Sequence, residues 1–278
     1  MKVGPHPGMR HRRRGATGMN DWDGRFSERQ RDILTRVRGA GHVTIDALAQ
    51  AHSVSTQTIR RDANALCAAG ALRRLHGGVA LPQAGNILYN ARRMLNETAK
   101  RAIGAAFSGR VPSAASLAVS IGTTPEFAIH SLQGQTDLTI VTNNLNIAIF
   151  ACDREGWTVQ VPGGAVRAGD RDVLGPQVEA FFGRYRVDFG VFGVAGVAED
   201  GTLLDFTEEE VAARLAILRN CRRSVLLLDR TKFGRVAHVR GGQITEVDEV
   251  ICDQPLPAVV AAQLAREGVT IKIAGPRP

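Results

Sequence analysis

The sequence predicts an α/β chain in two parts: a small helical head that ends in a β hairpin, then a larger body built on a doubly wound, mostly parallel sheet. Three observations carry this. The 278 residues exceed what one hydrophobic core usually holds. Helix-spaced apolar residues with capping signals crowd the first third of the chain. Beyond residue 101, short apolar runs alternate with helical stretches, the pattern of strands buried on both faces. The boundaries expected are a basic arm over residues 1–24, a head over 25–82, a linker over 83–100 and a body over 101–278.

In the arm, Pro, Gly and Arg dominate and no helical or strand period appears, so it is expected to be disordered. Met9 and Met19 leave the translation start open. In the head, Ser27 is placed to cap a first helix through Ile33, Leu34 and Val37, which Gly39 and Gly41 end. Thr44 caps a second through Ile45, Leu48 and Ala49. His52, Ser53 and Val54 form a turn, and Ser55 caps a third through Ile59, Ala63 and Leu66 to Gly70. Ala71 to Leu81 alternates apolar and basic residues around Gly77 and Gly78, as a hairpin does.

Charge is distributed unevenly. Residues 1–82 hold 14 Lys+Arg against 6 Asp+Glu, a balance of +8, while the remainder holds 21 of each and balances to zero. A basic head on a neutral body suits a polyanion partner. Two helices joined by a short turn place the second in the DNA major groove with its N-terminal residues at base edges. Ser55, Thr56, Gln57, Thr58, Arg60 and Arg61 occupy those positions. Gln57 and Arg60 suit adenine and guanine edges, and Arg61 suits a phosphate. Arg73, Arg74, His76, Gly77 and Gly78 lie on the hairpin, which can follow a phosphate strand. Asp62 is expected to pair with an Arg of its own helix.

The linker has some helical character. In the body, strands are expected at Ser116 to Ile121, Leu138 to Thr142, Thr158 to Val161, Phe189 to Val194, Ser224 to Leu228, Val250 to Ile251 and Val269 to Ile273. Helices fit at Pro125 to Leu132, Leu145 to Cys152, Glu208 to Asn220 and Ala258 to Arg266. Ligands of open α/β sheets bind beyond the carboxyl ends of strands. The loop Gly122-Thr123-Thr124-Pro125-Glu126 offers backbone N–H groups, two hydroxyls and a helix start to an anion. Polar strand-end loops recur at Thr142-Asn143-Asn144, at Gly163-Gly164 with Arg167, at Gly193 to Gly196, and at Asp229 to Lys232. Together they supply the cations, amides and carboxylates that a phosphorylated polyol needs.

No apolar run approaches the ~20 residues that span a bilayer, and no apolar segment follows the basic start, so a cytoplasmic location is expected. Cys67, Cys152, Cys221 and Cys252 are scattered without paired spacing and read as reduced packing residues. No metal site and no cofactor are expected.

From Ser53 to Leu81, Val54-Ser55, Thr58-Ile59-Arg60-Arg61-Asp62, Leu72, Arg74 and His76-Gly77-Gly78 closely resemble the winged helix-turn-helix of DeoR-type bacterial repressors. The body resembles the sensor domain of the same family, itself similar in fold to sugar-phosphate isomerases. The residues responsible are Ile121 to Glu126, Val141 to Asn146, Gly163-Gly164 with Arg167 and Asp170, Asp188-Phe189-Gly190 with Gly193 and Gly196, Phe206 with Glu210-Val211, and Lys232 to Arg235. The resemblance implies a homo-oligomeric repressor, dimer or tetramer, bound to double-stranded operator DNA. It implies release by a phosphorylated effector, glycerol 3-phosphate or a related sugar phosphate, with the likeness greatest to repressors of glycerol-3-phosphate regulons. It places Gly122, Thr123 and Thr124 around the phosphate, with Asn143, Gly163, Gly164, Arg167, Glu210 and Lys232 completing the pocket.

Three residues depart from the family pattern. Ala63 stands where Leu is usual, Ser120 where Asp is frequent, and Arg214 where Lys is common. The competing reading is a sugar-phosphate isomerase-like enzyme with a DNA-binding head, for which Glu210 and Asp229 are the candidate bases. No nucleophile or cofactor fingerprint accompanies them, so the chain is expected not to be an enzyme.

Overall fold

The computed structural model describes residues 26–40, 42–69, 71–75, 77–80 and 89–275. The expected arm, His76, Gly41 and Gly70 lie outside the described residues.

Three helices and a small sheet make the head. Helix α1 spans Glu28–Ala40, and the Ser27 and Gln30 side chains accept from each other's backbone N–H at 3.3 and 3.1 Å respectively, a reciprocal cap. Strand β1 (His42–Thr44) leads into α2 (Ile45–Ala51), capped by Thr44, whose Oγ1 accepts from Ala47 N–H at 3.2 Å. Ser55 caps α3 (Thr56–Ala68) in the same way through Thr58 N–H. Strands β2 (Arg73–Leu75) and β3 (Gly78–Ala80) form the hairpin, and β1 pairs with β3 to give an antiparallel sheet of order β1-β3-β2. Strand β1 is absent from the sequence expectation, because three residues carry no period; it exists only by pairing with β3.

Ile33, Val37, Leu48, Ile59, Ala63, Leu66 and Val79 are fully buried in the head core. Asp62 departs from expectation. It accepts from Arg29 Nε at 2.6 Å and Gln30 Nε2 at 3.0 Å, so it ties α3 to α1 rather than pairing within its own helix. The reason is burial: α3 turns this position inward, against α1, where Arg29 and Gln30 supply the donors.

Helices α4 (Tyr89–Met94) and α5 (Glu97–Ser108) follow, joined through Asn96 in the left-handed region at φ 56°. The body then alternates β4 (Ser116–Val119), α6 (Thr123–His130), β5 (Thr139–Thr142), α7 (Leu145–Cys152) and β6 (Thr158–Gln160). A hairpin of β7 (Val166–Arg167) and β8 (Asp172–Val173) precedes α8 (Pro176–Phe182) and β9 (Val187–Phe192). After β10 (Gly196–Val197) and β11 (Thr202–Asp205) come α9 (Glu208–Arg219), β12 (Cys221–Leu228) and β13 (Val239–Gln243). The body closes with β14 (Glu249–Cys252), α10 (Ala258–Arg266) and β15 (Thr270–Ile273).

Seven of these strands form one sheet, β15-β14-β12-β9-β4-β5-β6, and every pairing in it is parallel. Apolar cores lie on both faces, one under α5, α6 and α7 and the other under α8, α9 and α10. The expected α/β architecture is thus observed, with shifts at element ends. Strand β4 stops at Val119, and α6 starts at Thr123 rather than Pro125. The pair β7-β8 and the three-stranded sheet β10-β11-β13 were not expected, since runs of two to five residues are too short for a period. Among the described residues, no helix is long and apolar enough to cross a membrane.

Replacing Asp62 by Ala is expected to lower head stability by about 1–3 kcal/mol, since Arg29 and Gln30 lose a buried charged acceptor. Thermal unfolding of the variant checks this, and an unchanged midpoint would contradict the tie between α1 and α3.

Candidate functional site

The outer face of α3 is the first candidate. Gln57, Arg60 and Arg61 are exposed on it, and none of their side chains makes a hydrogen bond or ion pair with another described residue. Their spacing of three and four places them on one helical stripe. Ser55 faces solvent but is engaged, with Oγ 2.9 Å from Thr58 Oγ1 and receiving Thr58 N–H; Thr56 and Thr58 are half-buried. Arg60 and Arg74 line a groove between α3, the start of α2 and the hairpin. Arg74 also donates to Asn64, and Arg73 sits beside it on β2. Gly77 is exposed at φ 76°. Gly78 is buried, and a Cβ there would meet Val43 O at 2.6 Å, so this glycine lets β1 approach β3.

The second candidate is a cavity of about 110 Å³. It lies where strand order reverses: from β4 the chain builds outward through β5 and β6, then returns to place β9 on the other side of β4. The loops after β4 and β9 diverge there and leave a crevice. Gly122, Thr123 and Thr124 form one wall, with Gly193 and Ala195 beyond β9 and Asp229, Thr231 and Lys232 beyond β12. Gly122 has φ 115°, a conformation side chains rarely adopt. It turns the chain so that α6 opens onto the cavity, where Thr123 and Thr124 N–H have no carbonyl one turn back.

The third wall was not foreseen. Arg92 and Leu95 from α4 and its end, Asn96, and Lys100 from α5 all line the cavity, although they fall in the stretch read as a linker. Positions 92, 96 and 100 recur every four residues, but alone that spacing describes a solvated stripe as readily as a site. Asp205 and Arg235 also line the cavity; no local pattern distinguishes Asp205.

The carboxylates facing this space are already partnered. Asp205 accepts from Arg214 Nε and Nη2 at 3.1 and 3.0 Å and from Ala195 N–H at 3.0 Å. Asp229 accepts from Thr231 N–H and Asn96 Nδ2, each at 3.1 Å. Glu210 accepts from Arg167 Nη1 at 3.0 Å and Phe206 N–H at 3.1 Å. Lys232 and Arg235, in contrast, make no ion pair with a described residue; Arg235 lies over the Phe206 ring at 5.6 Å. Burial pushes Lys232 down to about 8, with Arg235 and Arg92 adding to the shift and Asp229 opposing it. Burial likewise lowers Arg235, helped by Arg92, and lowers Lys100 to about 7. Such a site sets cations without ion-pair partners among the described residues beside helix N–H groups, an arrangement that suits an anion.

Of the residues expected in the pocket, Gly122, Thr123, Thr124, Glu210 and Lys232 come together. Asn143 is fully buried and donates to Val173 O at 2.9 Å, bracing β5 to β8. Gly163 and Gly164 are exposed in the loop before β7. Arg167 sits behind the wall, bonded to Asp172 at 2.8 and 2.9 Å while it holds Glu210. Ser120 is buried with its N–H on Val191 O, outside the cavity lining. Arg214 is fully buried against Gly241, where a Cβ would meet its Nη2 at 2.2 Å.

The family descriptions "DeoR-like helix-turn-helix domain" and "DeoR C terminal sensor domain" match residues 29–84 and 95–254. The glycerol-3-phosphate regulon repressor of Escherichia coli is 36% identical over 248 residues, 89% of this chain and 98% of its own. The repressor of the same name from Haemophilus influenzae is 37% identical over 223 residues, 80% and 87% of the two chains. The HTH-type transcriptional repressor CsqR of Escherichia coli is 30% identical over 244 residues, 87% and 94%. Among solved structures, a ribose 5-phosphate isomerase A from Neisseria gonorrhoeae covers 50% of this chain and 54% of its own at 13% identity and a TM-score of 0.34, too loose a likeness to speak to function.

Arg214→Met is expected to destabilise the body by about 3–5 kcal/mol, because it strands Asp205 as a buried charge without its cation. Chemical denaturation of the two proteins measures the difference, and a loss under about 1 kcal/mol would show that Asp205 is held by other groups.

Proposed function

This chain belongs to the DeoR family, and from that membership we propose that it is a DNA-binding repressor of a glycerol or glycerol-3-phosphate regulon, released from its operator by a phosphorylated polyol. One observation supports the effector class above the others: Lys232 and Arg235 face the start of α6 without a carboxylate partner. The phosphate is assigned to the N–H groups and hydroxyls of Thr123 and Thr124 at Gly122, with Lys232 and Arg235 as cations. Asp205, Glu210 and Asn96 are assigned to the hydroxyls. Glycerol 3-phosphate is favoured because the relatives with 36 and 37% identity are repressors of glycerol-3-phosphate regulons.

On the head, Gln57 and Arg60 are assigned to base edges, and Arg61, Arg73 and Arg74 to phosphates. One head of this size reads a short half-site, so the proposal includes a homo-oligomer that sets two heads on paired half-sites. Against the isomerase reading stand the engaged carboxylates: Glu210 is held by Arg167 and Asp229 by Asn96 and Thr231, and neither is poised as a free base.

Calorimetry with glycerol 3-phosphate tests the assignment. Binding is expected in wild type and about 10- to 100-fold weaker in Lys232→Ala, the loss of one charge-assisted contact. Raising the pH from 7 to 9 deprotonates Lys232 while the phosphate stays a dianion, so affinity is expected to fall about tenfold or more. Affinity that rises with pH would overturn the cation assignment. In gel shifts on a promoter fragment of a glycerol-utilisation operon, Arg61→Ala is expected to reduce the salt slope by about one unit while leaving sequence preference intact.

A further inference from the structure

Helix α4 has only six residues, too few to hold itself together in water, so its order depends on what it touches. Toward the body, the Tyr89 hydroxyl and Arg93 reach Glu126, which is buried in the first turn of α6, and Arg92 reaches Asp170. Toward the head, Met94 and Leu95 pack against the core of α1, α2 and α3. Leu95 is also part of the cavity wall. One residue therefore touches both the cavity and the head core.

The end of α4 is closed by a charge that belongs equally to the cavity. Lys100 is 3% exposed and lines the cavity. Its Nζ donates to Leu95 O at 2.5 Å and to Arg92 O, so a buried ammonium caps the negative end of α4. No carboxylate lies in ion-pair contact with it among the described residues. Carbonyl oxygens carry only partial charge, whereas a phosphate dianion in the same cavity would compete for this ammonium with two full charges.

We propose that Lys100 is a latch shared between the two sites: it caps α4 and holds Met94 and Leu95 against the head, and an anionic effector draws it into the cavity and frees α4. This rests on the sensor reading above and adds how occupancy reaches the DNA-binding head. Lys100 is a positioning residue for the head as well as a contact of the ligand. Deprotonation weakens the latch in the same direction, since burial has lowered this ammonium to about 7.

Hydrogen–deuterium exchange of the full chain tests it, with calorimetry run on the same samples and glycerol 3-phosphate or inorganic phosphate as probe. In wild type, saturation of the cavity is expected to speed exchange over residues 89–96 about fivefold or more. In Lys100→Met, exchange there is expected to be fast before any probe is added and to stay unchanged on binding, while affinity falls by about tenfold. Lys100→Gln, which offers an N–H to the α4 carbonyls without charge, carries the same expectation for the lost response should the Met variant misfold. Binding in wild type with unchanged or slower exchange over 89–96, or a full response in the Lys100 variants, would overturn the latch and leave the sensor reading standing. Failure of wild type to bind either probe would remove both.

Discussion

The parallel sheet reverses its winding between β4 and β9, and the candidate site depends on that reversal. Helices α6 and α7 cross to one face while α8 and α9 cover the other, so the loops that leave β4 and β9 part company. Any anion that enters the gap meets the start of α6 head-on, because Gly122 turns the chain there. The glycine, the helix dipole and the gap are consequences of one topology, and none would serve without the others.

Charge around the gap is asymmetric by construction. Each carboxylate is committed: Asp205 to Arg214, Glu210 to Arg167, and Asp229 to a hydroxyl and an amide. These commitments fix where hydroxyls of a ligand could bond, and none of the three acids is in ion-pair contact with Lys232 or Arg235. Holding cations in a partly buried space lowers their pKa, so the protein carries a cost that an anion relieves. The Lys-to-Arg departure at position 214 fits the same arrangement, since the fork of Arg214 reaches both Asp205 and Gly241 O.

The stretch between head and body is more than a tether. It supplies a wall of the cavity through Arg92, Leu95, Asn96 and Lys100, and its apolar residues finish the head core. Through Leu95 the cavity wall adjoins the head core directly, without a long path of intermediate contacts. Coupling of this kind needs only that one short element have competing partners, which α4 has.

Much of the architecture could be read directly from residue order. Ser27, Thr44 and Ser55 announced the three head helices because capping is a local event, and apolar runs marked every strand of the main sheet. The charge balance of +8 against zero separated a polyanion-binding head from a neutral body. Gly122 to Thr124 and Lys232 line one cavity, as the strand-end loops suggested, because such loops cluster at the carboxyl edge of a parallel sheet. What tertiary structure alone decided were contacts between distant positions. Asp62 meets Arg29, not a neighbour on α3; Arg167 stands behind Glu210, not in the cavity; and Lys100 turns from an apparent linker into the cavity wall. Period and capping are properties of a few consecutive residues, whereas the partner of a buried charge is set by which helix the fold lays across it.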